Sequence, residues 1–350
     1  MKARVDARAS VSTSLARATV AIHGETLEAR LAALDGAESA VVLGSGMAAI
    51  ACTMLSLLRA GDHVVVSDWL HGDARRFFEQ ELPGLAIEVT FVDPTETRGW
   101  RRVTRGNTRL FFLESPVCET TRVIDLNPPR LLAQELGIAL VVDSSAASPV
   151  NFRPIEQGAD LVVQSAAMLL HSEHGLQAGV VCGADAVIDE VRGRMSVWGH
   201  MPDAILYAQL ERGVRTLDIR VRRQCHNAEQ IARWAESHAA VQSVYYPGLR
   251  SHPDHDIAAT TLDNFGNQLV LDLTGGANAA TALVSRVRLF RHRAALGGVS
   301  SVVHDVGAFA NAMPGEHVVD GVVLHAGAVR LSIGIEEASD LIADLAQALE

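Results

Sequence analysis

Lysine is almost missing from this chain. Of its 30 basic residues only Lys2 is lysine, and the rest are arginine. Chemistry that needs a buried amine, such as condensation with an aldehyde, therefore has one remote candidate, in a terminal segment of the kind that is poorly ordered unless tied down. Cysteine is scarce as well. Cys52, Cys118, Cys182 and Cys225 lie far apart with no CxxC pair, which indicates neither a disulfide framework nor a structural zinc site. No stretch runs to about 18 apolar residues without a charge, and the start, MKARVDARASVSTSLARATVAIHGE, lacks the unbroken apolar core of a signal peptide. The expectation is a cytoplasmic protein. An excess of positive charge is lacking too: the formal net charge is −11, which argues against a nucleic-acid or membrane-surface partner. A small-molecule ligand is favoured.

What is present is an α/β pattern. The chain has 350 residues, 48% of them hydrophobic, enough for a large core and more than one unit. Strand candidates are SAVVL (39–43), DHVVV (62–66), AIEVTFV (86–92), TRLFFLE (108–114), IALVVD (138–143) and ADLVVQS (159–165). Between them lie helical stretches such as 47–61 and 127–137, each with a glycine at its end. Alternation of this kind implies a mostly parallel sheet covered by helices on both faces. Ligands on such sheets bind beyond the carboxyl ends of the strands, so Ser45, Glu114, Asp143 and Ser165 should converge. A Pro/Gly/His-rich connection (242–256) leads to a second unit, with strands at 266–273 and 328–334 and a terminal helix at 339–350. The expected division is an N-terminal arm at 1–37, a large domain at 38–240 and a C-terminal domain at 241–350.

Several stretches, in order, carry a resemblance: LEARLAALDGAESAVVLGSGMAAI (27–50), GDHVVVSDWLHGD (61–73), FLESP (112–116), VVDSS (141–145), ADLVVQS (159–165), RGVRTLDIR (212–220), YYPGLRSHPDHD (245–256), LGGVSS (296–301) and VRLSIGIE (329–336). The chain resembles the Cys/Met-metabolism family of pyridoxal phosphate (PLP) enzymes, which includes cystathionine synthases and lyases, methionine lyases and homoserine sulfhydrylases. The resemblance implies the large PLP fold of type I, as a homodimer or homotetramer with shared active sites. In the family, the strand matched by Ser165 continues into Ser-x-Thr-Lys, whose lysine forms the Schiff base with PLP and shuttles protons. Here the signature reads Ser165-Ala166-Ala167-Met168, and a thioether can do neither job.

The resemblance assigns the other parts of the site residue by residue. Ser45, Gly46 and Met47, at a strand-to-helix junction, match the phosphate-binding turn, a position that the helix dipole suits. Ser165 matches a side-chain phosphate ligand, and Asp143 the carboxylate that pairs with the pyridinium nitrogen. His71 stands where the family stacks a tyrosine on the ring. Cys118 replaces the asparagine that contacts the ring hydroxyl. The cross-subunit segment Tyr-x-Arg-x-Gly-Asn-Pro has shrunk to ARATVAIHGET (16–26), where Arg17 is the remaining match. Arg330 matches the arginine that grips a substrate carboxylate, or else forms a core salt bridge, with Glu336 as the nearest partner in sequence.

His171 and His174, just past Met168, are candidate proton carriers in place of the lysine, weighed against solvated loop histidines. HPDHD (252–256) has the residue types of a metal site but matches an ordinary connection of the family that carries none. Cys118 is a possible nucleophile, with buried filler the stronger reading. The expected function is thus a trans-sulfuration-family homologue acting on a small amino-acid-like carboxylate, with PLP or pyridoxamine phosphate (PMP) held noncovalently if at all. Two alternatives stand beside it: a PLP-independent enzyme or binding protein with a repurposed pocket, and an inert partner of an active paralogue.

Overall fold

The computed structural model describes residues 24–70, 72–166, 170, 177–293, 298–306, 318–319, 322–323 and 326–350. A helix, Gly24–Asp35, precedes strand β1 (Ser39–Leu43), and the helix Gly46–Leu57 follows it. The large sheet adds β2 (His63–Ser67), β3 (Glu88–Val92), β4 (Thr108–Glu114), β5 (Ala139–Asp143), β6 (Leu161–Ser165) and β7 (Gly179–Gly183). Its order is β1-β7-β6-β5-β4-β2-β3. β7 is antiparallel to both β1 and β6, whereas the β5–β6, β4–β5, β2–β4 and β2–β3 pairs are parallel.

The strands are apolar on both faces because both faces are covered. Phe112, Val141, Val163 and Val181 pack with Ala49, Ile50 and Met54 of the helix Gly46–Leu57. Their neighbours Phe111 and Val142 turn the other way, toward Leu132 and Ala133 of the helix Asn127–Leu136. Val42, Val162 and Val180 meet Leu27 and Leu31 on that same second face.

After the helices Asp185–Trp198 and Ala204–Val214, the long helix Leu217–Glu236 serves two cores. Its first half puts Val221 and Cys225 into the large-sheet core, and its second half puts Ile231 and Ala235 against the second sheet. That sheet consists of β8 (Val241–Tyr245), β9 (Gln268–Leu273), β10 (Arg291–His292), β11 (Val302–Asp305) and β14 (Ala328–Ser332), in the order β10-β11-β14-β9-β8. The short strands β12 (Val318–Val319) and β13 (Val322–Val323) pair with each other, and the helix Ala338–Leu349 ends the chain.

Element ends differ from the sequence reading for local reasons. The expected strand at 86–92 begins at Glu88 because Ala86 has φ +58 and serves a turn, its carbonyl accepting from Gly61 N. The expected helix at 47–61 stops at Leu57: Leu58 is extended, and Arg59 Nη1 satisfies the carbonyls of Leu55, Ser56 and Leu58. β7 went unread, since a five-residue apolar run with no alternation, GVVCG, carries little periodic signal.

The HPDHD segment is a joint whose His252 and Asp254 are buried. Arg122 Nη2 reaches Asp254 Oδ1 at 3.0 Å, its Nε pairs with Oδ2, and the guanidinium lies 4.1 Å from the centroid of the Trp69 ring. Asp254 also accepts from Val123 N at 2.9 Å. Burial pushes His252 down to about 4, so it is neutral at pH 7, and its Nδ1 accepts from Asp254 N. These residues fasten the segment after β4 to the connection that precedes β9.

Candidate functional site

Three strand ends and one helix start meet at the carboxyl edge of the large sheet. β4 and β5 finish side by side, with Glu114 opposite Asp143 in register. Asp143 Oδ1 accepts from Ser145 N at 2.9 Å and from Ser145 Oγ at 2.6 Å. Ser145 Oγ in turn accepts from Ser165 N at 2.7 Å, which ties the end of β6 to the same carboxylate. Burial raises the Asp143 pKa, and the two Ser145 bonds pull it partly back. A buried carboxyl disfavoured as an anion is primed to welcome a cationic N–H.

Beside it the helix Gly46–Leu57 presents its N-terminus. Ser45 is the N-cap, its Oγ accepting from Ala48 N at 3.0 Å. The N–H groups of Gly46 and Met47 fall in the first turn, where no carbonyl of the helix reaches them. Close approach depends on two glycines. A Cβ on Gly46 would lie 3.0 Å from Ser165 Cβ, and one on Gly179 would lie 2.2 Å from the Ser45 carbonyl oxygen. Glycine at 46 and 179 therefore lets the helix N-terminus, with its free N–H groups and dipole, pack closely beside Ser165 and β7.

The second sheet supplies the opposite wall. Arg330 in β14 is buried, with Nη1 donating to Glu119 Oε2 at 2.6 Å and, more weakly, to the Cys118 carbonyl at 3.4 Å. Its Nε is buried without a partner among the described residues. His304 lies opposite Arg330 in the β11–β14 register. Burial lowers its pKa, with Arg330 pushing the same way, and its Nδ1 is also buried and unpartnered among the described residues. The Cys118 backbone N–H donates to Glu114 Oε1 at 2.9 Å. Burial raises the Cys118 thiol well above the ordinary range, and Glu114, Asp143 and Glu119 add to the rise. A thiol held protonated in this way is a poor nucleophile.

Ser45, Gly46, Asp143 and Ser165 are thus brought together, and Cys118 and Arg330 share one wall. Met47 contributes only its backbone, because its side chain packs against the core. His71, Met168, His171 and His174 lie outside the described residues. The salt bridge of Arg330 is to Glu119 and not to Glu336, whose carboxylate instead accepts from Ser301 N at 2.7 Å and Ser301 Oγ at 2.9 Å. Sequence reasoning missed Ser145, Glu119 and His304. The Asp-x-Ser spacing of an Asx turn was a usable signal for the first; the other two depend on contacts between distant parts of the chain. Among the described residues no group of three or more metal-ligating side chains occurs, and no helix is long and apolar enough to cross a membrane.

A sheet with helices on both faces, a buried carboxylate and a helix N-terminus at its carboxyl edge, and a second sheet that carries an arginine together make the architecture of the PLP-dependent fold type I. The comparisons agree. A family model described as "Cys/Met metabolism PLP-dependent enzyme" matches residues 17–350. An L-methionine gamma-lyase of Fusobacterium nucleatum subsp. polymorphum is 33% identical over 329 residues, 93% of this chain and 83% of that protein. A cystathionine gamma-lyase of Bacillus subtilis (strain 168) is 33% identical over 329 residues, 93% of this chain and 85% of that protein. The crystal structure of metB from Corynebacterium glutamicum superposes with a TM-score of 0.86 at 30% identity, covering 92% of this chain and 83% of that one. The chain belongs to the Cys/Met metabolism PLP-dependent enzyme family.

Proposed function

We propose that this protein binds PLP or PMP noncovalently and acts on a small amino-acid-like carboxylate without a Schiff-base lysine. One observation carries the reading: the Asp143–Ser145–Ser165 chain and the helix N-terminus packed on Ser165 at Gly46 keep the features that suit the cofactor, in a chain whose sole lysine is Lys2. The cofactor, when bound, supplies an electron sink. Asp143 holds a proton on the ring nitrogen, Ser145 fixes the Asp143 rotamer, and Ser165 with the Gly46 and Met47 N–H groups binds the phosphate. Arg330 receives the substrate carboxylate. His171 or His174 moves protons in place of the residue at 168.

The exposed apolar side chains Val197, Trp198, Met201, Ile205 and Ile219, on or beside three consecutive helices, support assembly of the chain with copies of itself as a homodimer or homotetramer.

Met168→Lys tests whether the pocket still fits the cofactor. The variant is expected to turn yellow with PLP, to lose that colour on borohydride reduction, and to keep the reduced pyridoxyl group covalently bound through denaturing gel filtration. A colourless variant that is folded by circular dichroism would count against a retained cofactor site.

A further inference from the structure

Arg330 is a buried cation with an incomplete partner. Glu119 meets one nitrogen of the guanidinium, Nη1, through one oxygen, at 2.6 Å, and Nε stays buried and unpartnered among the described residues. The Arg330 side chain is 4% exposed and that of Glu119 35%. The arginine is fixed in β14, between β11 and β9, whereas Glu119 reaches in from the segment after β4. A guanidinium presents a planar fork that a carboxylate fills with two parallel bonds. Glu119 fills only part of it, so a second carboxylate entering the pocket has more bonds to gain than Glu119 has to lose.

We propose that Glu119 is an internal carboxylate which holds Arg330 until a ligand carboxylate exchanges for it, and that this exchange makes the site select amino acids over plain carboxylic acids. The inference rests on the reading that Arg330 receives a ligand carboxylate. The selection follows from charge. Glu114 and Asp143, both buried, act together with Glu119 on Cys118, whose carbonyl Arg330 reaches at 3.4 Å. A bare carboxylate that takes Arg330 leaves Glu119 displaced among acids and adds one more negative charge. An amino acid brings an ammonium group, and the displaced Glu119 becomes its partner. The zwitterion enters without net charge, and the plain acid does not.

Butyrate and L-2-aminobutyrate share a carbon skeleton and differ by the α-amine, so they separate the two effects. Their binding is measured by isothermal titration calorimetry on the full chain, as wild type, Glu119→Gln and Arg330→Met, with near-UV circular dichroism to check each fold. Glu119→Gln is expected to tighten butyrate about tenfold or more, since a charge-assisted competitor has been removed, and to change L-2-aminobutyrate much less. Arg330→Met is expected to weaken both. If Glu119→Gln leaves the ratio of the two affinities unchanged while Arg330→Met weakens both, the role given to Glu119 is wrong and the carboxylate site stands. If Arg330→Met weakens neither, or if neither compound binds wild type or Glu119→Gln, the exchange is overturned together with the carboxylate site.

Discussion

Asp35→Asn is expected to abolish a pH-dependent loss of stability of about 4 kcal/mol. Asp35 is the last residue of the helix Gly24–Asp35 and is 1% exposed. The helix C-terminus carries partial negative charge, which suits a carboxylate badly. Gln164 Nε2 donates to its two oxygens at 2.9 and 3.0 Å, and Cys182 Sγ lies 3.3 Å from Oδ2. Those bonds do not offset the burial, which raises the pKa from 3.8 to about 7. The folded-state pKa lies above the unfolded one, so the folded state binds the proton more tightly. The contribution to stability is complete below about pH 4, declines as pH rises, and is gone above about pH 7. An asparagine accepts from Gln164 with no charge to bury. The stability gap between Asp35→Asn and wild type, from urea denaturation, should therefore widen by about 3 kcal/mol between about pH 5 and pH 8. Parallel profiles would show that Asp35 ionises at its ordinary pH.

Asp143 differs from Asp35 in the use proposed for it. Both are buried carboxyls with raised pKa values, but Asp143 stands at the carboxyl edge of β5 and is held there by Ser145. Asp143→Asn should therefore act with opposite signs on two properties. The protein freed of cofactor gains stability at pH 8, because a disfavoured buried charge is gone. Retention of PLP or PMP falls about a hundredfold, the effect of losing one charge-assisted bond in a site of low polarity. Thermal melts of the cofactor-free protein and equilibrium dialysis of the cofactor measure the two separately. A variant that loses stability and retains cofactor as well as wild type would make Asp143 a structural residue of the strand end.

Much of this was legible in the sequence, for physical reasons that differ by element. The runs SAVVL, TRLFFLE and ADLVVQS announce strands because both faces of the sheet are covered and every position can be apolar. The convergence of Asp143, Ser165 and Ser45 follows from the rule that a parallel sheet binds ligands at its carboxyl edge. The rest depends on contacts between distant parts of the chain. Nothing local distinguishes Glu336 from Glu119 as the partner of Arg330; the two are separated by the turn at Gly334–Glu336, whose carboxylate is spent on Ser301, and by a loop that arrives 211 residues earlier in the chain. His304 is likewise an ordinary strand residue until the β11–β14 register sets it opposite Arg330. The raised pKa of Asp35 has no sequence signal, because it depends on β6 and β7 closing over the helix end through Gln164 and Cys182.

The central claim is that cofactor binding has outlasted the lysine. It is tested most directly by adding PLP or PMP to the purified wild-type protein, removing the excess by gel filtration and recording the near-UV and visible spectrum, with and without amino acids. The account predicts about one cofactor retained per chain: PMP as a band at about 330 nm, or PLP as a band that moves toward about 420 nm only when an added amino acid condenses with it, neither being fixed to the protein by borohydride in the absence of an amino acid. A protein that emerges with no retained band from either compound, while Met168→Lys is equally colourless, would contradict it.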